Sequence, residues 1–397
     1  MSKSSQVLAK SAIVIGAGLA GANIAERLAS RNWRVDVIES GSAPAQGASG
    51  NPAGIVLPQI ARDDALAARF SRACYLYLLS RLSEFPECQW DPCGVFQIAR
   101  DSAHETLQQA GVRELKLPDN FVEFLPRDRA EKLVGQTLAH GGWWFAQGGW
   151  LAPASLCANL LARFPKNLRC HINARVTRIQ RDGEVWIAYA ANDQIIAKAT
   201  HLVLANAHAA NDLLEHALPL NVIRGQISYL PAKSLPPLKV VLCRNGYLTP
   251  AHDGQVTFGA SFVNDDNDLS LRWSEHQGNF ERLHEILPEL DRDRLAAETK
   301  TMDGRVALRV ATPDRLPLVG AIPAKEDSKI RAPTLGNLPR VPNLHALLGL
   351  SARGIVWAPL VAEHLACLMN HESSPLAFDI ANAIDAGRYC LKDSRRR

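Results

Sequence analysis

Three glycines set the first chemical expectation. Gly16-Ala17-Gly18-Leu19-Ala20-Gly21 places them at the spacing G-x-G-x-x-G, and Glu39 follows 18 residues after Gly21. The first glycine suits a tight turn, the second lets main chain approach a pyrophosphate, and the third lets a helix lie close against a strand. A helix opening there offers free N–H groups and positive dipole to phosphate. An acid ending the next strand accepts hydrogen bonds from an adenosine ribose and disfavours a 2′-phosphate, which argues against NADP. The chemistry is adenine-dinucleotide binding. On these residues alone FAD and NAD both remain open. Only one such fingerprint occurs, so a flavoenzyme that also docks NAD(P)H on a second unit is disfavoured.

Other chemistry-bearing residue types are dispersed. Eight cysteines include no Cys-x-x-Cys pair, so neither a zinc ribbon nor a dithiol redox couple is written, and scattered thiols fit a reducing compartment. His201, His208 and His345 show no ligand spacing, and Asp265, Asp266 and Asp268 read as a solvated loop, so no metal is expected. Trp143, Trp144 and Trp150 offer faces to a nucleobase, although such a cluster is more often hairpin and core packing. Arg309 carries a planar fork suited to a carboxylate, against the plainer reading of a surface arginine on a strand. Tyr247 has a hydroxyl to donate or a ring to pack.

The glycines need elements on both sides. Ala12 to Ile15 is a short β-branched run that reads as a buried parallel strand, Ala22 to Ser30 as a helix, and Arg34 to Ile38 as the next strand. A small-residue loop, Gly47 to Gly54, follows. Helical periodicity covers Asp63 to Leu82, Ala154 to Phe164 and Glu275 to Leu290. Strands are expected over His171 to Ile179, Val185 to Tyr189 and Leu202 to Leu204, with antiparallel texture from Ile223 to Phe262. Near the end, the strand Leu344 to Leu348, the loop Gly349 to Gly354 and a helix from Ile355 to Met369 repeat the strand–glycine loop–helix arrangement.

With 397 residues, 47% hydrophobic and 21% charged, the chain has core enough for two or three compact units. That composition excludes disorder and a disulfide-stapled miniprotein. The net charge of +4 permits an anionic partner without demanding one. Ser11 to Ala29 contains three glycines, Glu26 and Arg27, which does not fit a signal peptide. No uninterrupted apolar run reaches about 18 residues, so no membrane span is predicted and a soluble, cytoplasmic protein is expected. The interleaved texture predicts an α/β protein: a doubly wound Rossmann-type domain from residues 1–84, 147–222 and 300–397, and an antiparallel-sheet α+β domain from 85–146 and 223–299.

Taken together, several segments resemble the FAD-dependent oxidases of the D-amino-acid oxidase and glycine oxidase type. They are the glycine fingerprint with Glu39, Ala48 to Gly54, Gly149-Trp150-Leu151, Arg224-Gly225-Gln226, Tyr247 to Pro250, Gly304 to Gly320 and Gly349 to Pro359. Within that family the Ala-Ser-Gly-Asn loop, Asp303-Gly304-Arg305, Asp314-Arg315-Leu316-Pro317 and Ser351-Ala352-Arg353-Gly354 are most similar to the flavin-containing half of the bifunctional enzymes of tRNA 5-methylaminomethyl-2-thiouridine biosynthesis. The resemblance implies FAD as cofactor, held by Gly16, Gly18, Leu19, Ala20, Gly21, Glu39 and Ser40. It further implies flavin-side contacts from Ala48, Ser49, Asn51 and Gly54, and an adenine contact from the Val176 main chain. Gly349, Ser351, Arg353, Gly354 and Ile355 would lie near the pyrimidine end. It implies oxidation of a secondary amine on tRNA wobble uridine, with Arg309 gripping the carboxylate and Tyr247 and Arg353 beside it. The alternative is a small substrate: glycine, sarcosine or a D-amino acid. Met1 lies a few residues before the first strand, so methyl transfer is not expected of this chain, and a separate tRNA methyltransferase is a candidate partner.

Overall fold

The computed structural model describes residues 10–298, 302–324 and 334–394. The chain divides into two compact units, each discontinuous in sequence: 1–50, 154–221 and 309–397 form the first, 51–153 and 222–308 the second. Residues 51–84 and 147–153 therefore belong with the second unit, not with the first as expected. The reason is pairing: Gly54–Val56 and Trp90–Asp91 both pair with Gly149–Leu151 in a small antiparallel sheet. Residues 302–308, expected in the first unit, likewise belong with the second, because Gly304–Ala311 pairs with Asn221–Pro231; residue 300 itself lies outside the described residues.

The first unit is built on a six-stranded sheet in the order Leu318–Pro323, Arg340–Leu348, His201–Leu204, Ser11–Ile15, Arg34–Ile38, Leu168–His171. All neighbours run parallel except Leu318–Pro323, which is antiparallel to its one partner at the edge. Ser11–Ile15 is buried along its whole length, as an unbroken apolar run in a covered parallel sheet should be. Its Ile13 and Ile15, with Leu202 and Leu204, pack against Trp186, Ala188, Ala197 and Ala199 of a three-stranded antiparallel meander. On the opposite face lie the helices Leu19–Ala29 and Gly354–Asn370. A Cβ added to Gly21 would stand 3.3 Å from Val14 Cγ1. Arg31 ties the two helices by reaching Glu363 at 2.6 Å and Glu372 at 2.8 Å. The segment expected as one strand over His171 to Ile179 is instead the end of Leu168–His171, a coil, and the start of Arg178–Asp182.

The second unit carries a nine-stranded, mostly antiparallel sheet. Its path runs Val263–Asn264, Asn221–Pro231, Gln255–Gly259, Tyr247–Leu248, Val241–Cys243, Val95–Ile98, Gly142–Phe145, Glu123–Leu125, with Gly304–Ala311 pairing Asn221–Pro231. Phe96, Leu230, Leu242, Leu248 and Phe258 of the sheet meet Phe280, Leu283 and Ile286 of the helix Trp273–Ile286 in one core. No helix among the described residues is long and apolar enough to cross a membrane.

Candidate active site

Strands Ser11–Ile15 and Arg340–Leu348 point the same way in one sheet, and each is followed by a helix. Both helix N-termini therefore emerge at the same edge. A Cβ on Gly354, the first residue of the later helix, would lie 3.2 Å from Leu19 Cδ1, in the first residue of the earlier one. That edge is also where the order of strands reverses, since Ser11–Ile15 has Arg34–Ile38 on one side and the much later His201–Leu204 on the other. Open α/β sheets take their ligands at such a switch point.

The glycines behave as their spacing demands. Gly16 has φ +100°, and its Cβ would fall 2.7 Å from Ala205 O; a Cβ on Gly21 would collide with Gly16 O at 1.8 Å. Glu39 ends strand Arg34–Ile38 half-buried, with Oε2 accepting from Ala17 N–H at 2.9 Å and Oε1 from Gly41 N–H at 2.8 Å. Ser40 donates its hydroxyl to the same Oε1 at 3.2 Å. The carboxylate thus braces the glycine turn. Ser49, in the short 3-10 turn Ala48–Gly50, takes on a role the sequence did not suggest: its Oγ accepts from Leu19 N–H at 3.0 Å. Gly18 has no side chain to cap this helix, so a loop 30 residues away supplies one cap, while Ala20 and Gly21 keep first-turn N–H groups without intrahelical acceptors. Val176 lies in coil after Leu168–His171, and its main chain makes no hydrogen bond among the described residues.

At the C-terminal loop, Gly349 has φ +74° and Ser351 φ +53°, and Ser351 N–H donates to Val310 O at 2.8 Å. Arg353 stands directly before the helix Gly354–Asn370, its guanidinium 5.6 Å from the ring centre of Trp357. It makes no ion pair among the described residues. Burial, with the Arg315 charge adding to it, holds the Arg353 guanidinium below the ordinary arginine value. Arg315 has lost its neighbouring acid to another partner, because Asp314 accepts from Arg388 Nε at 3.0 Å and Nη2 at 2.8 Å. Ile355 is half-buried in the first turn of that helix, and Arg309 is half-buried on Gly304–Ala311.

Within the second unit, Tyr247 is half-buried on a strand paired with Val241–Cys243 and Gln255–Gly259. Asn51 accepts on Oδ1 from Arg305 Nη1 at 3.1 Å. Arg305 was visible only as part of the Asp303-Gly304-Arg305 run. Gly54 opens the short strand paired with Leu151. Arg224 and Gln226 are fully buried: Arg224 pairs with Glu275, and Gln226 exchanges two hydrogen bonds with the Arg272 main chain. That motif holds a strand to a helix. The tryptophans do not form one stack. Trp143 Nε1 donates to Gln108 O at 2.9 Å, Trp144 packs on the core of the second unit, and Trp150 faces His252 at 4.4 Å between ring centres. Asp266 and Asp268 are held by Arg272.

The family described as FAD dependent oxidoreductase matches residues 11–368. The chain belongs to this family. FAD is accordingly its cofactor and redox chemistry its trade. The first unit fits that cofactor: two glycines closed to any side chain, open N–H groups on a helix end, an acid at the strand terminus and an uncommitted main chain at Val176. Among curated relatives, the tRNA 5-methylaminomethyl-2-thiouridine biosynthesis bifunctional protein MnmC of Aromatoleum aromaticum is 42% identical over 392 residues, covering 98% of this chain and 61% of that protein. The protein of the same name from Paraburkholderia xenovorans is 38% identical, with 97% and 60% covered. The chain thus spans about three fifths of the length of the curated relatives it matches. Among solved structures, glycine oxidase from Geobacillus kaustophilus superposes with a TM-score of 0.74 at 18% identity, covering 95% of this chain and 98% of that one. L-proline dehydrogenase from P. horikoshii gives 0.73 at 17% identity, with 97% and 98% covered. Those likenesses concern the fold.

Proposed function

We propose that this chain oxidises the secondary amine of a carboxymethylaminomethyl group on the wobble uridine of tRNA, releasing glyoxylate and leaving aminomethyluridine. The observation that carries this reading is the 42% identity to a tRNA 5-methylaminomethyl-2-thiouridine biosynthesis bifunctional protein along 98% of the chain. FAD supplies the two-electron oxidation that turns the CH–NH bond of such a group into an imine, and water then divides the imine into amine and glyoxylate. The chain's own work is to hold and orient. The glycine turn, Leu19, Ala20, Glu39 and Ser40 hold the dinucleotide end, and Ala48, Ser49, Asn51, Gly54 and Val176 extend the grip. Gly349, Ser351, Gly354 and Ile355 form the far wall. On the family resemblance, Arg309 would take the substrate carboxylate with both arms of its fork, Tyr247 would be a further donor to the substrate, and Arg353 would set positive charge where the substrate is anionic. No side chain is needed as a base if the amine enters unprotonated. Such a substrate belongs in the cytoplasm, and a separate tRNA methyltransferase is the natural partner for the product amine.

The deciding experiment mixes the yellow protein anaerobically with tRNA carrying the carboxymethylaminomethyl group and, in parallel, with glycine, sarcosine and D-alanine. Rapid bleaching by the tRNA, with glyoxylate in the supernatant, is the expected result. Bleaching only by the free amino acids would sink the tRNA reading and leave a small-substrate oxidase.

A further inference from the structure

One buried acceptor beside the glycine turn lacks a partner, and none of the residues assigned above contains it. In the first unit, Gly16 follows the central strand Ser11–Ile15, and Ala205 and Asn206 follow its neighbour His201–Leu204. The two exits touch: a Cβ on Gly16 would lie 2.7 Å from Ala205 O and 3.1 Å from Asn206 Cα. Asn206 is therefore at the switch point itself, at the exit of the strand beside the one that leads into the dinucleotide fingerprint.

Its side chain is oddly placed. Asn206 occupies the capping position of the 3-10 turn Ala207–Leu213, yet makes no side-chain capping bond. Asparagine is favoured at such positions because its oxygen accepts from an N–H of the following turn. Here Oδ1 is buried with no hydrogen-bond partner among the described residues, and the next residue, Ala207, sits at φ +55°. A buried acceptor without a donor is costly, and native folds leave few of them. The residue type is right for capping, the position is right for capping, and the bond is not made. The donor has to come from elsewhere.

We propose that the Asn206 carboxamide is a cofactor contact, its buried oxygen accepting from a hydroxyl of the FAD sugar chain. The diphosphate has no proton to give at neutral pH, whereas the ribose and ribityl hydroxyls donate freely. The contact concerns the cofactor alone, so it stands or falls independently of which amine the enzyme oxidises.

The test compares apoprotein of the wild type, Asn206→Ala and Asn206→Leu. Each is titrated with FAD by flavin fluorescence quenching, and each is unfolded thermally without FAD. Both variants are expected to raise the FAD Kd by roughly three- to tenfold, the loss of one neutral hydrogen bond. Their apoprotein midpoints should equal or exceed the wild type, because an unpaired acceptor has been removed. A parallel titration with ADP locates the hydroxyl: a matching loss puts it on the adenosine ribose, an unchanged affinity on the ribityl chain. An unchanged FAD Kd in both variants overturns the proposal. So does a loss in the alanine variant that leucine restores, which would report a cavity. Failure of the variants to fold would show that the oxygen serves the protein itself, and overturns it too.

Discussion

A half-buried guanidinium contributes most where both arms meet one carboxylate, because lysine or a bare charge cannot reproduce that geometry. Arg309 is half-buried on its strand. Replacing Arg309 with Ala should raise KM for the carboxymethylated tRNA roughly 10- to 100-fold, the loss of a charged hydrogen-bond pair, while FAD remains bound. Steady-state kinetics beside the visible flavin spectrum checks both halves, and an unchanged KM removes Arg309 from the site. At this scale the glycine turn was legible because the fingerprint is contiguous and each glycine's conformational demand is local; the hold of Glu39 on Ala17 and Gly41 was not. Ser49 capping Leu19 was not, nor was Arg305 holding Asn51. Each is a single hydrogen bond between residues 30 and 254 positions apart, and no spacing rule announces it.

Helix Leu19–Ala29 begins with glycine at its capping position, so its first N–H groups are left to loops and ligands. Ser49 Oγ takes one of them. Ser49→Ala should therefore cost about 1 kcal/mol in the apoprotein. The proposed grip of the same loop on FAD predicts a larger loss with FAD present. Thermal unfolding with and without FAD separates the two, and an apoprotein as stable as the wild type would show that the cap contributes nothing. The elements themselves were readable where period and flanks agreed. The buried first strand, the helix now bounded as Leu66–Leu82 and the C-terminal strand–loop–helix all lie within a few residues of expectation. The failure over His171 to Ile179 has a physical origin. Alternating apolar residues continue through Ala174 and Val176, yet Asn173 adopts φ +53° and the chain leaves one sheet before entering another.

Across the molecule, several histidines are held neutral in the interior. Burial lowers His345 to about 3 and His201 and His364 to about 4, with His201 and His345 stacked at 5.8 Å on adjacent parallel strands. Around His201 the charges of His371 and Lys10 push the same way, and Asp385 opposes weakly at His364. Unfolded, each would protonate near pH 6.5, so the unfolded state binds more protons at any pH between that value and the folded pKa. The stability they contribute is complete above about pH 6.5 and is lost progressively as the pH falls toward 4. The thermal midpoint should fall on acidification, and His345→Leu should flatten that slope; a slope unchanged in the variant would refute this origin. Domain organisation was legible as two interleaved textures, but its seams were not. Residues 51–84 look like a continuation of the first unit until the pairing of Gly54–Val56 with Gly149–Leu151 draws them into the second.

The central strand of the first sheet has one neighbour close at hand and the other far downstream: Ser11 meets Thr200 across a separation of 189 residues. During synthesis the amino-terminal unit of strand, helix and parallel strand leaves the ribosome with a bare apolar flank, and it stays bare until half the polypeptide has been made. The second strand–loop–helix turn, at Gly349 to Ile355, emerges later still. Nascent chains stopped before that point should come out colourless and chaperone-bound, and colour should appear only once the helix Gly354–Asn370 clears the exit tunnel.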